Sequence, residues 1–484
     1  MADLEREILD KVGKYNLSEL DIISYRQQKD ESRPKTMDIK GITLTMSITE
    51  DIFSNCMNGS ILVYDTQDVR SLLPLTGLER LSFKLNTPGL PALDFTETNG
   101  VPFHIYKVDT IRKDNTNDKG QFYKIFFCSP EMYYNQLTSV SRAYAGPIET
   151  GVKDIFRNKK YLNSKKKLFV EETATNAKYV IPSLKPFKAI NYLSSQCTSG
   201  KYNNAGYLFF ENSKGFHFRS LESLLAMGGS VARPTRWNFQ TQVTQVKDTG
   251  KGDEVKDIEK RMQTVIQYEA GRQVDALENI KNGLYANRLV VHDAFNKTLT
   301  THDFNYKEDF EKGYHTETTG DEADSVKGIV PDTQLNDTGA GLYEFADSKK
   351  MVVTETSGVH NDYEFTPSKD TLPKITSQRR GVRNMNMSLL VYGNTLLNCG
   401  DIINFTVPIM QPGEDLRPNP YTSGRYLIMA IKHTIAVTTQ NHTMVLKCMK
   451  DSVRTPLPSE EDALIVGKDN TDEVDIYKQD IVSL

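Results

Sequence analysis

The chain has 484 residues, 38% of them apolar, and a formal charge of −4 from 59 Lys and Arg against 63 Asp and Glu. That length accommodates roughly three domains with real cores, and the near-neutral balance excludes the global basic field of a protein that coats nucleic acid. Cys56, Cys128, Cys197, Cys399 and Cys448 are odd in number, far apart and free of any CxxC pair. They point to reduced thiols and cytosolic folding rather than to a disulfide framework or a zinc site. The first residues, MADLEREILDKVGKYN, lack the apolar stretch of a signal peptide, and runs such as YLIMAI at 426–431 fall far below membrane-spanning length. Neither a leader nor a membrane anchor is expected.

Leu4, Ile8 and Val12 recur at four-residue spacing and predict a short amphipathic helix over 2–14, broken at Gly13. From Asp38 the period changes. DIKGITLTMSITEDI alternates Ile39, Ile42, Leu44, Met46 and Ile48 with polar residues after an offset at Gly41, and SILVYDT, RLSFKLNT, FHIYKVDTIRK and QFYKIFFCS follow as short strands. NG at 58–59, PG at 88–89, NG at 99–100 and NDKG at 117–120 read as the turns between them. About six strands with little helix predict a small antiparallel barrel or sandwich ending near Pro130.

EMYYNQLTSVSRAY and GPIETGVKDIFRNK then read as helices, and PFKAINYLSSQCTS as another that opens at Pro186. GYLFFE and GFHFRS flank a four-residue NSKG and predict a hairpin, since Asn212 and Gly215 tolerate turn conformations. Consecutive Leu208, Phe209 and Phe210 predict a first strand covered on both faces. Phe216 and Phe218 alternating with His217 and Arg219 predict one wet face on the second. Ser220 reads as the N-cap of LESLLAM, which ends at Gly228-Gly229. Residues 256–285 show helical spacing interrupted only at Gly271, and RLVVHDAFNKTLTTHDFNY returns to strand chemistry. From Glu311 to Asp370 thirteen acidic residues stand against five basic ones, which predicts an extended insertion, disordered or braced by a neighbouring subunit. After Arg383, MNMSLLVYG, DIINFTVP, RYLIMAIKHTIAV and HTMVLKCMKDS read as four strands, followed by an acidic tail.

Enzyme signatures are missing where they are most specific. The sequence holds no HExxH, Walker loop, GxSxG, GxGxxG after a strand, or PCxxC. TGKGDE at 249–254 reads as a surface loop, and His315 in YHTETTGDE as part of a solvated loop rather than a cation ligand. His433 and His442 alternate within two adjacent strands and read as structural histidines. Glu211 and Glu222 are a conceivable carboxylate pair whose separation the sequence does not give. NSKKKL at 163–168 reads as a solvated turn rather than a phosphate contact, and Trp237 in RPTRWNFQ as an interior anchor. No catalytic, cofactor-binding or metal-binding residue is assigned.

GYLFFENSKGFHFRSLESLL at 206–225 closely resembles a hairpin of the baseplate central hub proteins of contractile-tailed phages. It is more distantly similar to late-control hub and type VI secretion spike families. TMSITEDIFSNCMNGSILVYDTQDVRSLLPLTGLERLSFKL at 45–85 resembles the first barrel of that family, and GNTLLNCGDIINFTVP with SGRYLIMAIKHTI resembles its second. The resemblance implies a β-rich α+β fold with two tube-like antiparallel β-barrels and a mixed α/β bracing domain. The corresponding segments are a first barrel at 1–130, a mixed hub domain at 131–235, the first part of a second barrel with a helical insertion at 236–310, an acidic extended insertion at 311–372, the second part of that barrel at 373–455, and a tail at 456–484. It also implies a homotrimer whose six barrels let a six-fold tail tube meet a three-fold spike. The implied partners are the tail tube protein, the oligosaccharide-binding-fold domain of the central spike protein and the baseplate wedge proteins. DNA passes through the lumen only, which suits a chain with a slight acidic excess, since tight phosphate binding would stall passage. No cofactor and no membrane insertion are implied, and the place is the virion tail baseplate, assembled in the host cytoplasm. The alternatives are a baseplate-associated cell-wall hydrolase and a receptor-binding tail protein. The insertion at 311–372 and the tail depart from the family pattern.

Overall fold

The computed structural model describes residues 11–454 apart from 25–34, 74, 99, 114–119, 175, 203, 230–236, 242–260, 272–273, 295, 311, 319–326, 329–340, 356–367 and 410–417. Its first unit comprises β1 (Asn16–Ile23), β2 (Thr36–Asp38), β3 (Thr43–Asp51), β4 (Asn58–Asp65), β5 (Arg80–Asn86), β6 (Leu93–Asp94), β7 (Phe103–Lys113) and β8 (Gln121–Cys128). The long strands run β1-β5-β7-β8-β4-β3, with β2 on the free edge of β1 and β6 beside β5. Strict alternation sets the inward face: in β4 the residues Gly59, Ile61, Val63 and Asp65 are buried while their neighbours are not. The inward rows converge on one core in which Phe103 stacks on Phe83 at 5.6 Å and meets Phe127 edge-on at 5.2 Å. Between β1 and β3 the barrel is completed by a 3-10 turn at Lys40–Ile42 and by Ile39 N donating to Leu20 O at 3.0 Å.

The middle unit alternates helices with β9 (Val140–Pro147), β10 (Leu168–Val170), β11 (Asn176–Leu184), β12 (Tyr207–Asn212) and β13 (Gly215–Ser220). Helices Ile148–Arg157 and Pro186–Ser194 press Ile155, Phe156, Phe187 and Ile190 against Phe209, Phe216 and Phe218 of the β12-β13 hairpin. Helix Leu221–Gly229 follows at once, capped by Ser220 Oγ, which accepts from Ser223 N at 3.1 Å.

The third unit contains β14 (Asn238–Thr241), β15 (Thr264–Ala270), β16 (Ala286–Asp293), β17 (Thr298–Asn305), β18 (Lys327–Gly328), β19 (Lys350–Glu355), β20 (Met385–Tyr392), β21 (Ile402–Thr406), β22 (Gly424–Ala436), β23 (Asn441–Lys450) and β24 (Ser452–Val453). Strands β21-β22-β23-β20-β15-β14 close into a six-strand barrel, since β14 pairs with β21 and β22 with β23. Four of these six pairings are antiparallel, and the two made by β14 are parallel. Leu389, Phe405, Tyr426, Ile428 and Leu446 fill it, with Trp237 packed at the margin. Outside the barrel, β17-β16-β19 form a small sheet covered by helix Ser368–Gly381. The molecule is thus a β-rich α+β fold with two barrel units and a mixed α/β unit, as the resemblance implies.

Several local expectations are corrected. Helix Pro130–Leu137 stops short of Tyr144 because Thr138 turns extended and Val140–Pro147 pairs as β9 with β11. Asn58-Gly59 is no turn but the start of β4, and Gly59 is needed because a Cβ there would overlap the Phe127 ring and the Ser47 carbonyl. Asn212 pairs with Gly215, so the hairpin loop is only Ser213-Lys214. The expected wet face of β13 holds only at half-buried Arg219: His217 is buried between the rings of Phe169 and Phe210, at 4.8 and 5.0 Å. Of the helix predicted over 256–285, residues 256–260 lie outside the described residues. Residues 272–273 lie outside them too; Arg261-Met262 is helical, Thr264–Ala270 is a strand instead, and Ala276–Lys281 is a short helix. The strand at Asn16–Ile23 was not anticipated, and the predicted helix before it lies mostly outside the described residues. Within 311–370, β19 pairs with β16 and β18 with β24, so these two described strands are held by their own chain. The acidic tail lies outside the described residues. All five cysteines are buried and free. Among the described residues no helix is long and apolar enough to cross a membrane.

Candidate assembly site at the seam between the barrels

The two barrels share a strand. The Gly424–Leu427 end of β22 pairs with β21, and its other end, Ala430–Ala436, pairs antiparallel with β3 from Asp51 back to Thr45. A register shift between Ile428 and Ala430 marks the hand-over. In consequence Ile431 belongs to the core of the closed barrel and Ile435, four residues on, to the core of the first. A single fourteen-strand sheet therefore runs through both units. Between these two isoleucines sits His433, fully buried, its Nδ1 3.1 Å from Nε2 of His442 on β23. Burial pushes the His433 imidazole down to about 4, so the pair is neutral at ordinary pH. Gly393 makes room for it: a Cβ there would overlap the His442 ring.

Glu50 on β3 ties all three units together. Its carboxylate accepts from Ser213 N in the hairpin loop at 2.9 Å and from Cys399 N beside β21 at 3.2 Å. Burial pushes this carboxyl up to about 7 against those two backbone hydrogen bonds. Thr395 Oγ1 adds a further tie by donating to Pro91 O at 2.7 Å.

Two buried ion networks lock the remaining joints. Where the first barrel runs into the middle unit, Lys166 Nζ lies 2.5 Å from Glu211 Oε1 and 3.0 Å from Glu131 Oε2, while Ser129 Oγ and Met57 N donate to Glu211 Oε2. Burial alone would lower the Lys166 ammonium, but Glu211 and Glu131 outweigh it and hold the pKa raised. At the end of the closed barrel, Glu317 Oε1 accepts from Lys450 Nζ and Arg425 N, both at 2.8 Å, and its Oε2 lies 3.0 Å from Arg454 Nε as an ion pair without hydrogen-bond alignment. Next to it His315 faces acceptors on both ring nitrogens, Asp451 Oδ2 and Phe310 O, each at 2.8 Å, a geometry that calls for the imidazolium. Burial works against that charge, and Asp451 overrides it, so the His315 pKa is raised.

No family model and no curated protein matches the sequence. Solved structures do match. The 43 kDa tail protein of prophage MuSo2 from Shewanella oneidensis aligns over 90% of this chain and 98% of its own, with a TM-score of 0.50 at 10% identity. A tail protein from Neisseria meningitidis MC58 aligns over 90% and 97%, with a TM-score of 0.50 at 8% identity. The chain shares the fold of these two tail proteins.

Against this tail-protein fold the sequence candidates sort plainly. His433 and His442 are buried and bond to each other, but they are not the fully satisfied structural histidines expected, since His433 Nε2 and His442 Nδ1 have no hydrogen-bond partner among the described residues. His315 is not in a solvated loop; it is largely buried on Asp451. In the lysine run, Lys165 and Lys167 are exposed as a turn requires, but Lys166 points inward with 9% side-chain exposure. Glu211 and Glu222 serve separate networks, the first on Lys166 and the second on Tyr314 N at 3.0 Å. Trp237 packs against the closed barrel, and TGKGDE lies outside the described residues. Among the described residues no cluster of His, Cys, Asp and Glu could hold a metal. Sequence patterning singles out neither Glu50 nor Glu317. A single acidic residue at an inward strand position was the available signal for Glu50, and for Glu317 there was none.

Proposed function

We propose that this chain is a structural baseplate hub protein, located in the virion tail, that acts through shape and without a catalytic step. Three copies form a ring that joins the six-fold tail tube on one face to the three-fold central spike on the other, with wedge proteins outside and a DNA channel within. The observation that supports this reading is the shared strand β22, which fuses two barrels edge to edge within one chain. Three such chains present six barrels about a three-fold axis, the arrangement a tube-to-spike adaptor needs. The barrels correspond to 1–130 and to 236–310 with 373–455, and 131–235 braces them. The test is the native mass of the purified protein. The expected value is three times the 54.8 kDa chain mass, with an unfolding midpoint that rises with protein concentration. A monomer across the micromolar range would overturn the ring.

A further inference from the structure

In the middle unit the acids turn inward and the lysines outward. Between Pro130 and Gly229, Glu131, Glu149, Glu211 and Glu222 are buried, Asp154 and Glu171 are half-buried, and among the described residues Glu172 is the one exposed acid. Asp154 and Glu171 are already engaged, by Arg142 at 3.0 Å and by Ser220 N at 2.8 Å. The exposed lysines thus lack the interspersed carboxylates of an ordinary mixed surface. Several of them crowd together. Helix Ile148–Arg157 stops in a loop closed on Asn158, whose O accepts from Asn163 N at 3.2 Å and whose Oδ1 accepts from Lys160 N at 3.0 Å. Arg157 Nη1 donates to Ser164 O at 2.8 Å, and Lys167 O accepts from Phe216 N at 2.9 Å beside the hairpin loop. These bonds bring Arg157, Lys159, Lys160, Lys165, Lys167 and Lys214 to one edge, and all six are exposed. Among the described residues none of the five lysines has an ion-pair partner.

The sequence holds a segment of matching charge. EEDALIVGKDNTDEVDIYKQD at 460–480 carries eight acids against Lys468 and Lys478, a net −6 that equals the +6 of the patch in magnitude. It is also within reach. Asp451 shares a cavity wall with Leu221, which follows β13 directly, and the β12-β13 hairpin, six residues to a strand, is about 20 Å long. Lys214 at its tip therefore lies roughly 30 Å from Arg454, where the described chain stops. The fifteen residues from Thr455 to Asp469 span up to about 50 Å. Tethering holds the segment at about millimolar effective concentration, so it meets the patch ahead of a free polyanion. We propose that the acidic segment 460–480 seats on this basic patch of the same chain. Opposite charge holds it without a groove, and salt releases it. The seat does not rest on the hub reading.

The test is carbodiimide coupling of the full-length protein, which joins a carboxylate to an ammonium in direct contact, with the linked peptides read by mass spectrometry. Acids of 460–480 are expected to link to Lys159, Lys160, Lys165 and Lys167, while Lys188 and Lys432, exposed elsewhere, stay unlinked. The links are lost in 1 M sodium chloride, where the Debye length is about 3 Å. On a denaturing gel the linked product runs at the mass of one chain. Combining Asp472→Asn, Glu473→Gln and Asp475→Asn removes most of the links and raises acetylation of Lys165 and Lys167 by acetic anhydride to the rate seen in 1 M salt. Lys165→Gln with Lys167→Gln, on two exposed residues, gives the complementary loss. No links, links spread evenly over Lys188 and Lys432, links that survive 1 M salt, or a product at twice the chain mass overturn the seat. So does protection of Lys165 and Lys167 that appears only when duplex DNA is added, which would make the patch a nucleic-acid contact instead.

Discussion

Lys166 shows how one residue in a run of like residues acquires a separate role. Flanked by exposed Lys165 and Lys167, it alone turns inward to neutralise Glu131 and Glu211, each at most 2% exposed. Replacing it with methionine strands two buried carboxylates, so Lys166→Met is expected to cost about 3 to 5 kcal/mol in chemical denaturation. Adding Glu131→Gln and Glu211→Gln to the same chain should restore most of that loss, because the cost lies in unpaired charge rather than in lost packing. A single variant as mild as a surface pair, within about 1 kcal/mol, would show that water reaches the cluster. His433 gives the opposite kind of titration. Its pKa falls from 6.5 to about 4 on folding through burial. The unfolded chain therefore binds the proton first as pH drops, and stability from this site is whole above pH 6.5 and lost towards pH 4. The loss reaches about 3 kcal/mol. Unfolding midpoints measured between pH 7 and pH 4 should show this limb, and His433→Leu should reduce it without abolishing it, because burial also depresses His442 and His217.

At the scale of elements, the β12-β13 hairpin is where sequence and structure agree most closely. Phe209 and Phe218 oppose each other across the ladder, and both are at most 3% exposed. Truncating either to alanine is expected to cost about 3 to 5 kcal/mol and to lower the yield of soluble protein. A normal yield and an unchanged midpoint for both variants would place the pair outside the core. The hairpin was legible because its hydrogen bonds, turn and cap all lie within some twenty residues of one another. The four strands after Arg383 were legible for a related reason: in β20 every second side chain, from Met385 to Val391, is buried, and period two states the fold directly. Strand β15 was not legible. Only Val265 of its seven residues is buried, and its partners β14 and β20 are set by the closure of the barrel rather than by anything in TVIQYEA. Asn58-Gly59 misled for a different reason, since glycine there answers a close approach of Phe127 and not a turn. His217 misled because alternation reports polarity, whereas two aromatic rings from β10 and β12 cover it.

For the molecule as a whole, the shared strand makes a mechanical claim: the two barrels are one cooperative body. Ile435 lies in the core of the first barrel, yet it belongs to a strand whose other end closes the second. Trp237, the only tryptophan of the chain, packs against the second core and so reports on that barrel alone. Ile435→Ala leaves a cavity in the first core and is expected to cost about 2 to 5 kcal/mol. If the sheet transmits that loss, the tryptophan fluorescence midpoint shifts by the same amount as the far-ultraviolet circular dichroism midpoint, though the substitution touches no residue of the reporter's core. Coincidence of the two probes is the signature of a single transition. A fluorescence midpoint that stays at the wild-type value while circular dichroism moves would mean that β3 and β22 are merely adjacent. The barrels would then unfold separately, and a ring built from them would lack the rigid two-barrel unit on which matching six positions to three chains depends.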